Sequence, residues 1–425
     1  MLLLSLSAGL LLLTTHTALG QENCTLIASG EDDAPQFLSA VQNCDTVVIP
    51  EDATLNIATR LNMTGISDTT IKLEGTIRFE PDIPYWTGNA FYFEFQDSVT
   101  FWLLGGENIV LTGGGTLDGA GQDWYDEFPS NDTLLRPIVL MVYQANNVVI
   151  EDIQMHNGPS WFNLIYESNN VTYSNINITA ESTSDNAAKN TDGWDVYRSD
   201  TVVIRDSVIV NGDDCVSFKP NSTNVLVSDL DCTGSHGISV GSLGQYAGIY
   251  DIVENVTASH IKMSNASNGA RIKAWAGPNV GSGIVKNITF VDFEVSDVDN
   301  PIVIDQCYFS EDECDEYPSG VYIQDVYFTN VYGTGSRSTV ASLVCSPGGR
   351  CENINVNDLN LVSKEGTATY QCADVVLTGN SAGLFHCTED GPCEVPPSFL
   401  SHVIQKYIFS SFFHATKIAS GTRAM

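Results

Sequence analysis

The sequence predicts an all-β solenoid, a parallel β-helix stacked coil on coil. Three observations carry that expectation. Apolar and polar residues alternate in short β-branched runs: "NVVIEDIQMHN" from Asn147, "NVTYSNINITA" from Asn170, "TVVIRDSVIVN" from Thr201 and "NVLVSDLDCTG" from Asn224. Looser copies start at Asn255, Asn287, Val321 and Asn353, mostly 23 or 31–34 residues after the one before. Each run breaks at Asn, Asp, Ser or Gly, with no helical pattern between copies. One coil cannot bury its apolar side alone, whereas stacked coils build a continuous core. A β-sandwich is the rival reading, but its strands recur about every 8–12 residues.

The elements follow in chain order. Residues 1–20 read as a secretion signal, with the apolar run "LLLSLSAGLLLL" closed by the small residues of "TALG". The run is too short for a membrane anchor, which needs about 20 apolar residues. Residues 21–395 form one solenoid domain. Within it, "TLIASGEDDAPQFLSAVQNC" predicts a short helix between Cys24 and Cys44. That helix would cap the solenoid's open N-terminal end, where unpaired strand edges invite aggregation. Residues 396–425 carry no acidic residue and do not continue the repeat.

Composition narrows the partners. The chain has 18 basic and 52 acidic residues, a formal charge of −34. That argues against nucleic acid or an anionic membrane as partner. Eleven cysteines suit an oxidising compartment. Cys24/Cys44, Cys215/Cys232, Cys307/Cys314, Cys345/Cys351 and the trio Cys372, Cys387, Cys393 lie close in sequence, although sequence alone does not fix connectivity. One thiol is left over, expected from the trio. No Cys-x-x-Cys spacing points to a metal. Nine sequons, at Asn23, Asn62, Asn131, Asn170, Asn177, Asn221, Asn255, Asn265 and Asn287, predict a secreted glycoprotein.

Three polar motifs interrupt the repeat: "NTDGWD" at 190–195, "GDDC" at 212–215 and "GSHG" at 234–237. Asp192 precedes Asp213 by 21 residues, and Asp214 precedes His236 by 22. Both spacings approximate one coil, and neighbouring coils stack about 4.8 Å apart. The solenoid therefore predicts that Asp192, Asp213, Asp214 and His236 cluster on one face. "GARIKAW" at 269–275 adds Arg271 and Lys273, which alternate and so share a strand face. Crowded carboxylates cannot all ionise equally, so at least one should stay protonated. One protonated and one ionised carboxyl is what glycosidic hydrolysis needs. An Asp-rich calcium loop is the alternative. It does not account for the cations at the same coil spacing.

These motifs, in this order, resemble the polygalacturonase family of glycoside hydrolases, with "NTDGWD" and "GSHGISVGSLGQY" most like its fungal exo-acting members. The resemblance implies a right-handed parallel β-helix that hydrolyses α-1,4 galacturonic bonds of pectin with inversion and without a cofactor. Asp213 would be the general acid, Asp192 and Asp214 would hold and activate water, and His236 would support the acid. Asn190 would order the site, while Arg271, Lys273, Gln306 and Tyr308 would contact substrate. Cys215–Cys232 resembles a family disulfide. Inversion would place the water-activating carboxyls about 6.5–9.5 Å from the acid. Residues 28–37 and 85–98, together with Trp194, Tyr197, Arg198, Gln245 and Tyr246, would close one end of the groove, and Arg198 would pair with a terminal sugar carboxylate. An endo-acting or rhamnogalacturonan-directed relative is the alternative within the family. A calcium-dependent pectate lyase and a non-catalytic β-helix binding protein stand outside it. The expected enzyme is a secreted monomer.

Overall fold

The repeats fold as the periodicity requires. The computed structural model describes residues 23–310 and 314–388. The expected leader, the 396–425 tail and Cys393 lie outside the described residues. Long strands stack in parallel register along one side: Asn146–His156, Asn169–Thr179, Asp200–Val210, Ser222–Thr233, Tyr250–Ser264, Ser282–Val298 and Gly320–Gly335. Short strands stack along another: Asn163–Tyr166, Trp194–Tyr197, Val216–Phe218, Ile238–Leu243, Asn268–Trp275 and Asn300–Tyr308. The whole is a parallel β-helix. Each apolar position of the repeat becomes a column through the core. Val171, Val202, Val225, Val256, Ile288 and Val326 pair in sequence, and all are buried.

The breaks in each copy are bends. Asn147, Asn170, Asn224, Asn255 and Asn287 open the runs at positive φ, as do Asp152, Asn175, Asp206 and Asp229 within them. Asn and Asp tolerate this left-handed backbone better than other side-chained residues. Their amides also climb from coil to coil. Asn287 Nδ2 donates to Asn255 Oδ1 at 2.9 Å, and Asn255 Nδ2 donates to Asn224 Oδ1 at 3.1 Å. Of the nine sequon asparagines, eight are exposed and Asn221 is half-buried.

A helix at Ala34–Asn43 stands where the sequence placed one. Its buried Phe37 meets Trp102 edge to face, with ring centroids 5.6 Å apart. Five disulfides join Cys24–Cys44, Cys215–Cys232, Cys307–Cys314, Cys345–Cys351 and Cys372–Cys387. All four of the adjacent pairs are bridged, and two of the trio pair with each other.

Candidate active site

The short strands build a floor of two outward columns. Core residues such as Trp194, Val216, Ile238 and Ala270 point inward, so their neighbours face out. One column, in register, runs Leu164, Asp195, Ser217, Ser239, Arg271 and Val303. Two residues further along each strand, the second runs Tyr143, Tyr166, Tyr197, Lys219, Gly241, Lys273 and Asp305. The catalytic candidates sit in the turns that enter these strands. Backbone hydrogen bonds lock successive turns together, with Gly193 N donating to Asp214 O at 3.0 Å and His236 N to Asp213 O at 2.8 Å. The disulfide Cys215–Cys232 pins the residue next to Asp214 to the following long strand.

Asp192, Asp213 and Asp214 come together, each offering one carboxylate oxygen within 4.8 Å of the others. Their surroundings differ. Asp213 Oδ1 lies 3.0 Å from His236 Nδ1 and accepts the Asp214 backbone N–H at 2.8 Å, and its Oδ2 accepts from Asn190 Nδ2 at 3.1 Å. Burial opposes ionisation of Asp213, but the His236 charge and these donors hold its carboxyl well below the usual range. Asp214 is fully buried, yet the charge of Lys273, its Nζ at 2.7 Å, with those of Arg271 and Lys219, keeps it low, and Ser239 Oγ donates to its other oxygen at 2.7 Å. Asp192 is buried with no hydrogen-bond partner on Oδ1. Burial, then the charges of Asp195 and Asp213, push it well above the ordinary value. Of the three carboxyls, Asp192 is the one whose surroundings favour the protonated form. His236 is raised above its ordinary value by Asp213, against its own burial.

Several expectations need correction. Gln306 does not reach the groove. It is fully buried, with its amide donating to Val321 O at 2.8 Å and accepting from Ser346 N at 2.8 Å. A bulge between Lys273 and Trp275 shifts the register in its coil, so alternation fails there. Lys273 is nearly buried and engages Asp214 rather than standing open. Arg198 pairs with Glu167 at 3.2 Å, and Trp194 is core. The nearest oxygens of the three aspartates lie within 4.8 Å of one another. Tyr308 does flank the site, its ring 5.2 Å from the Arg271 guanidinium carbon and 5.4 Å from Lys273 Nζ.

Sequence reasoning missed four supporting groups. Asn211 Nδ2 donates to the carbonyls of Thr191, Asp213 and Asp214 at 2.9, 3.0 and 3.0 Å, fixing both acidic turns. Arg136 Nη2 donates to Asn190 Oδ1 at 2.6 Å, which turns the Asn190 amide nitrogen toward Asp213. Ser239 and Lys219 were readable from coil spacing. Arg136 was not, because it enters from a loop 54 residues away from Asn190.

One end of the groove is covered. Phe91–Phe93 and Ser98–Thr100 form an antiparallel hairpin outside the solenoid. Its tip lies over the tyrosine column, with Phe95 stacked on Tyr197 at 3.7 Å and Phe93 against Tyr143 and Tyr166 at 5.3 and 5.4 Å. Gln96 bridges to the far loop, its backbone N–H donating to Tyr246 Oη and its amide to Gln245 Oε1, each at 3.3 Å.

A β-helix whose groove gathers carboxylates and cations beside a blocked end is the architecture of a polysaccharide hydrolase. The family model described as glycosyl hydrolases family 28 matches residues 40–382, and the chain belongs to that family. It is 44% identical over 386 residues to an exopolygalacturonase of Cochliobolus carbonum, covering 86% of this chain and 85% of that one. It is 46% identical over 364 residues to exopolygalacturonase X of Aspergillus niger, covering 81% and 84%. Among solved structures, the endo-xylogalacturonan hydrolase of Aspergillus tubingensis superimposes with a TM-score of 0.77 at 33% identity, covering 84% of this chain and 99% of that one. The polygalacturonase of Erwinia carotovora shares the fold, with a TM-score of 0.65 at 22% identity over 84% of this chain and 96% of that one.

Proposed function

We propose that this chain is an exo-acting polygalacturonase that removes terminal galacturonic acid from pectic polymers. The relatives' names supply the substrate class. The observation that carries the mode of attack is the hairpin of residues 91–100, joined through Gln96 to Gln245 and Tyr246. A groove walled at that end admits a chain terminus and rejects a chain interior. Digestion of polygalacturonate should therefore release monomer from the start with a slow fall in viscosity. Early products of mixed length, with rapid thinning, would show an endo enzyme instead.

The chemistry assigns one proton to the Asp213–His236 pair at acid pH. In the open site it resides on His236. A sugar seated over the pair expels water, and desolvation favours the neutral pair over separated charges. Asp213 then holds the proton and gives it to the glycosidic oxygen as the C–O bond breaks. Asp214, kept ionised by Lys273 and Ser239, takes a proton from the attacking water. Asp192 completes the water's site. Arg271, which has no carboxylate partner among the described residues, holds a substrate carboxylate. These steps need no cofactor and invert the anomeric carbon.

A retaining mechanism is the second reading, since the nearest oxygens of the three aspartates lie within 4.8 Å of one another and retaining enzymes hold their pair about 5–5.5 Å apart. NMR of the first-formed product decides between them: a β-anomer supports inversion, and an α-anomer makes one aspartate a nucleophile. The three clustered carboxylates could also hold a divalent cation, as a lyase would require. EDTA leaves a hydrolase active and abolishes a calcium-dependent lyase, whose product absorbs in the ultraviolet. Five disulfides and exposed sequons support a secreted, glycosylated protein.

A further inference from the structure

The loop of residues 180–193 joins the long strand Asn169–Thr179 to the short strand Trp194–Tyr197 and carries Asn190 and Asp192. A second excursion, residues 119–139, leaves the solenoid between the strands Thr116–Asp118 and Leu140–Tyr143 and grips that loop at both ends. At the near end, Gln122 Oε1 accepts the Thr183 backbone N–H at 2.7 Å, and Asp126 Oδ1 accepts from Asn186 Nδ2 at 2.9 Å. At the far end stands Arg136. Its Nη1 donates to Lys189 O at 2.6 Å and Pro159 O at 2.9 Å, and its Nη2 donates to Asn190 Oδ1 at 2.6 Å. Arg136 is buried, with its guanidinium carbon 3.7 Å from the centre of the Phe128 ring. Ring and carbonyls together fix where the guanidinium points.

A side-chain amide has a donor end and an acceptor end, and a half-turn about its last bond exchanges them. Arginine offers donors only. Arg136 therefore claims the Asn190 oxygen and leaves the NH₂ for Asp213 Oδ2, 3.1 Å away. The other oxygen, Oδ1, already faces His236 Nδ1 and accepts the Asp214 backbone N–H. Oδ2 is thus the oxygen left to protonate a leaving group. A reversed Asn190 would set its carbonyl against Oδ2. That carbonyl would accept the acid's proton and hold it back from the glycosidic oxygen.

We propose that Arg136 is a positioning residue that locks the Asn190 amide with its nitrogen toward Asp213, so that the acid delivers its proton to the substrate alone. The proposal rests on the reading of Asp213 as the general acid. Arg136 acts through Asn190, from a segment 54 residues distant in sequence.

A double-mutant cycle tests this on polygalacturonate. Arg136→Met keeps the bulk and removes the donors. It should lower kcat by about tenfold or more, the worth of one oriented bond to a charged group, with KM little changed. Asn190→Gly removes the amide without straining the backbone, which lies at φ +55°. It should lower kcat as well. In the Asn190→Gly background Arg136→Met should cost no further kcat, because no amide is left to orient. A second full loss in the double variant would mean that Arg136 acts by holding the loop backbone, and would overturn the proposal. An unchanged kcat in Arg136→Met would overturn it too. Thermal unfolding checks that each variant is folded, and Arg136→Gln enters the same cycle if Arg136→Met does not fold. The acid assignment fails separately, if Asp213→Asn keeps its rate.

Discussion

At the residue scale, the site works by giving three like side chains unlike surroundings. Donors converge on Asp213 and Asp214, whereas Asp192 is left bare. Asp213→Asn keeps the shape and removes the acid. Turnover should fall about 10²–10⁴-fold with little change in melting temperature, and a variant keeping more than about a tenth of the rate would displace Asp213 from that role. The pH profile should peak at about 4–5.5, where acid and base are both in their working states. On the alkaline side, activity should decline as His236 loses its proton, above its ordinary pKa of about 6.5 because Asp213 raises it. His236→Gln should remove that limb from the kcat profile, and an unaltered limb would assign it to another group. The acidic cluster itself was legible in the sequence, because one coil of spacing becomes one step of height. Its proton distribution was not, since that depends on which donors converge. Gln306 was misread for a related reason: alternation predicts facing only while the register is unbroken, and a bulge intervenes.

At the element scale, the repeat was legible because it is the structure. Each Asn that opens a run is a bend, and the bends hold one another through their amides. Asn255 sits mid-ladder at φ +59° with one bond up and one down. Asn255→Ala loses both bonds and keeps the left-handed backbone, which costs about 2–4 kcal/mol in all. Asn255→Gly relieves the backbone and should cost less. Denaturant unfolding in urea measures both, and equal costs would mean that the backbone is unstrained. The 91–100 hairpin was only partly legible. Its aromatics marked residues 85–98 as unlike a coil, but the partners at Tyr143, Tyr166 and Gln245 lie 50–150 residues away in sequence. No local pattern encodes where such an excursion lands.

At the scale of the whole molecule, charge and fold set the working conditions. The formal charge is −34 at pH 7, and self-repulsion of that size weakens the compact state. The titrating groups act in the same direction. Asp192 and Asp195 have folded pKa values above the unfolded value of about 3.9, so the native state binds their protons more tightly. Their contribution to stability fades as pH rises from about 4 through about 6 for Asp195. His236, also raised, adds a further loss above about 6.5. Asp213 and Asp214 are lowered, and the stability they add is lost only as pH falls below about 4. Calorimetry should therefore find a higher melting temperature at pH 4.5 than at pH 7.5, and the reverse order would show that other groups dominate. The hairpin carries a consequence for the rhythm of catalysis. A chamber walled behind the reacting bond empties only through its mouth, and after each cut that mouth is still filled by the shortened polymer. The polymer must back out before the freed sugar can escape. Each encounter then yields one cleavage, the enzyme works distributively rather than processively, and accumulating monomer competes with the chain end for the same dead-end berth.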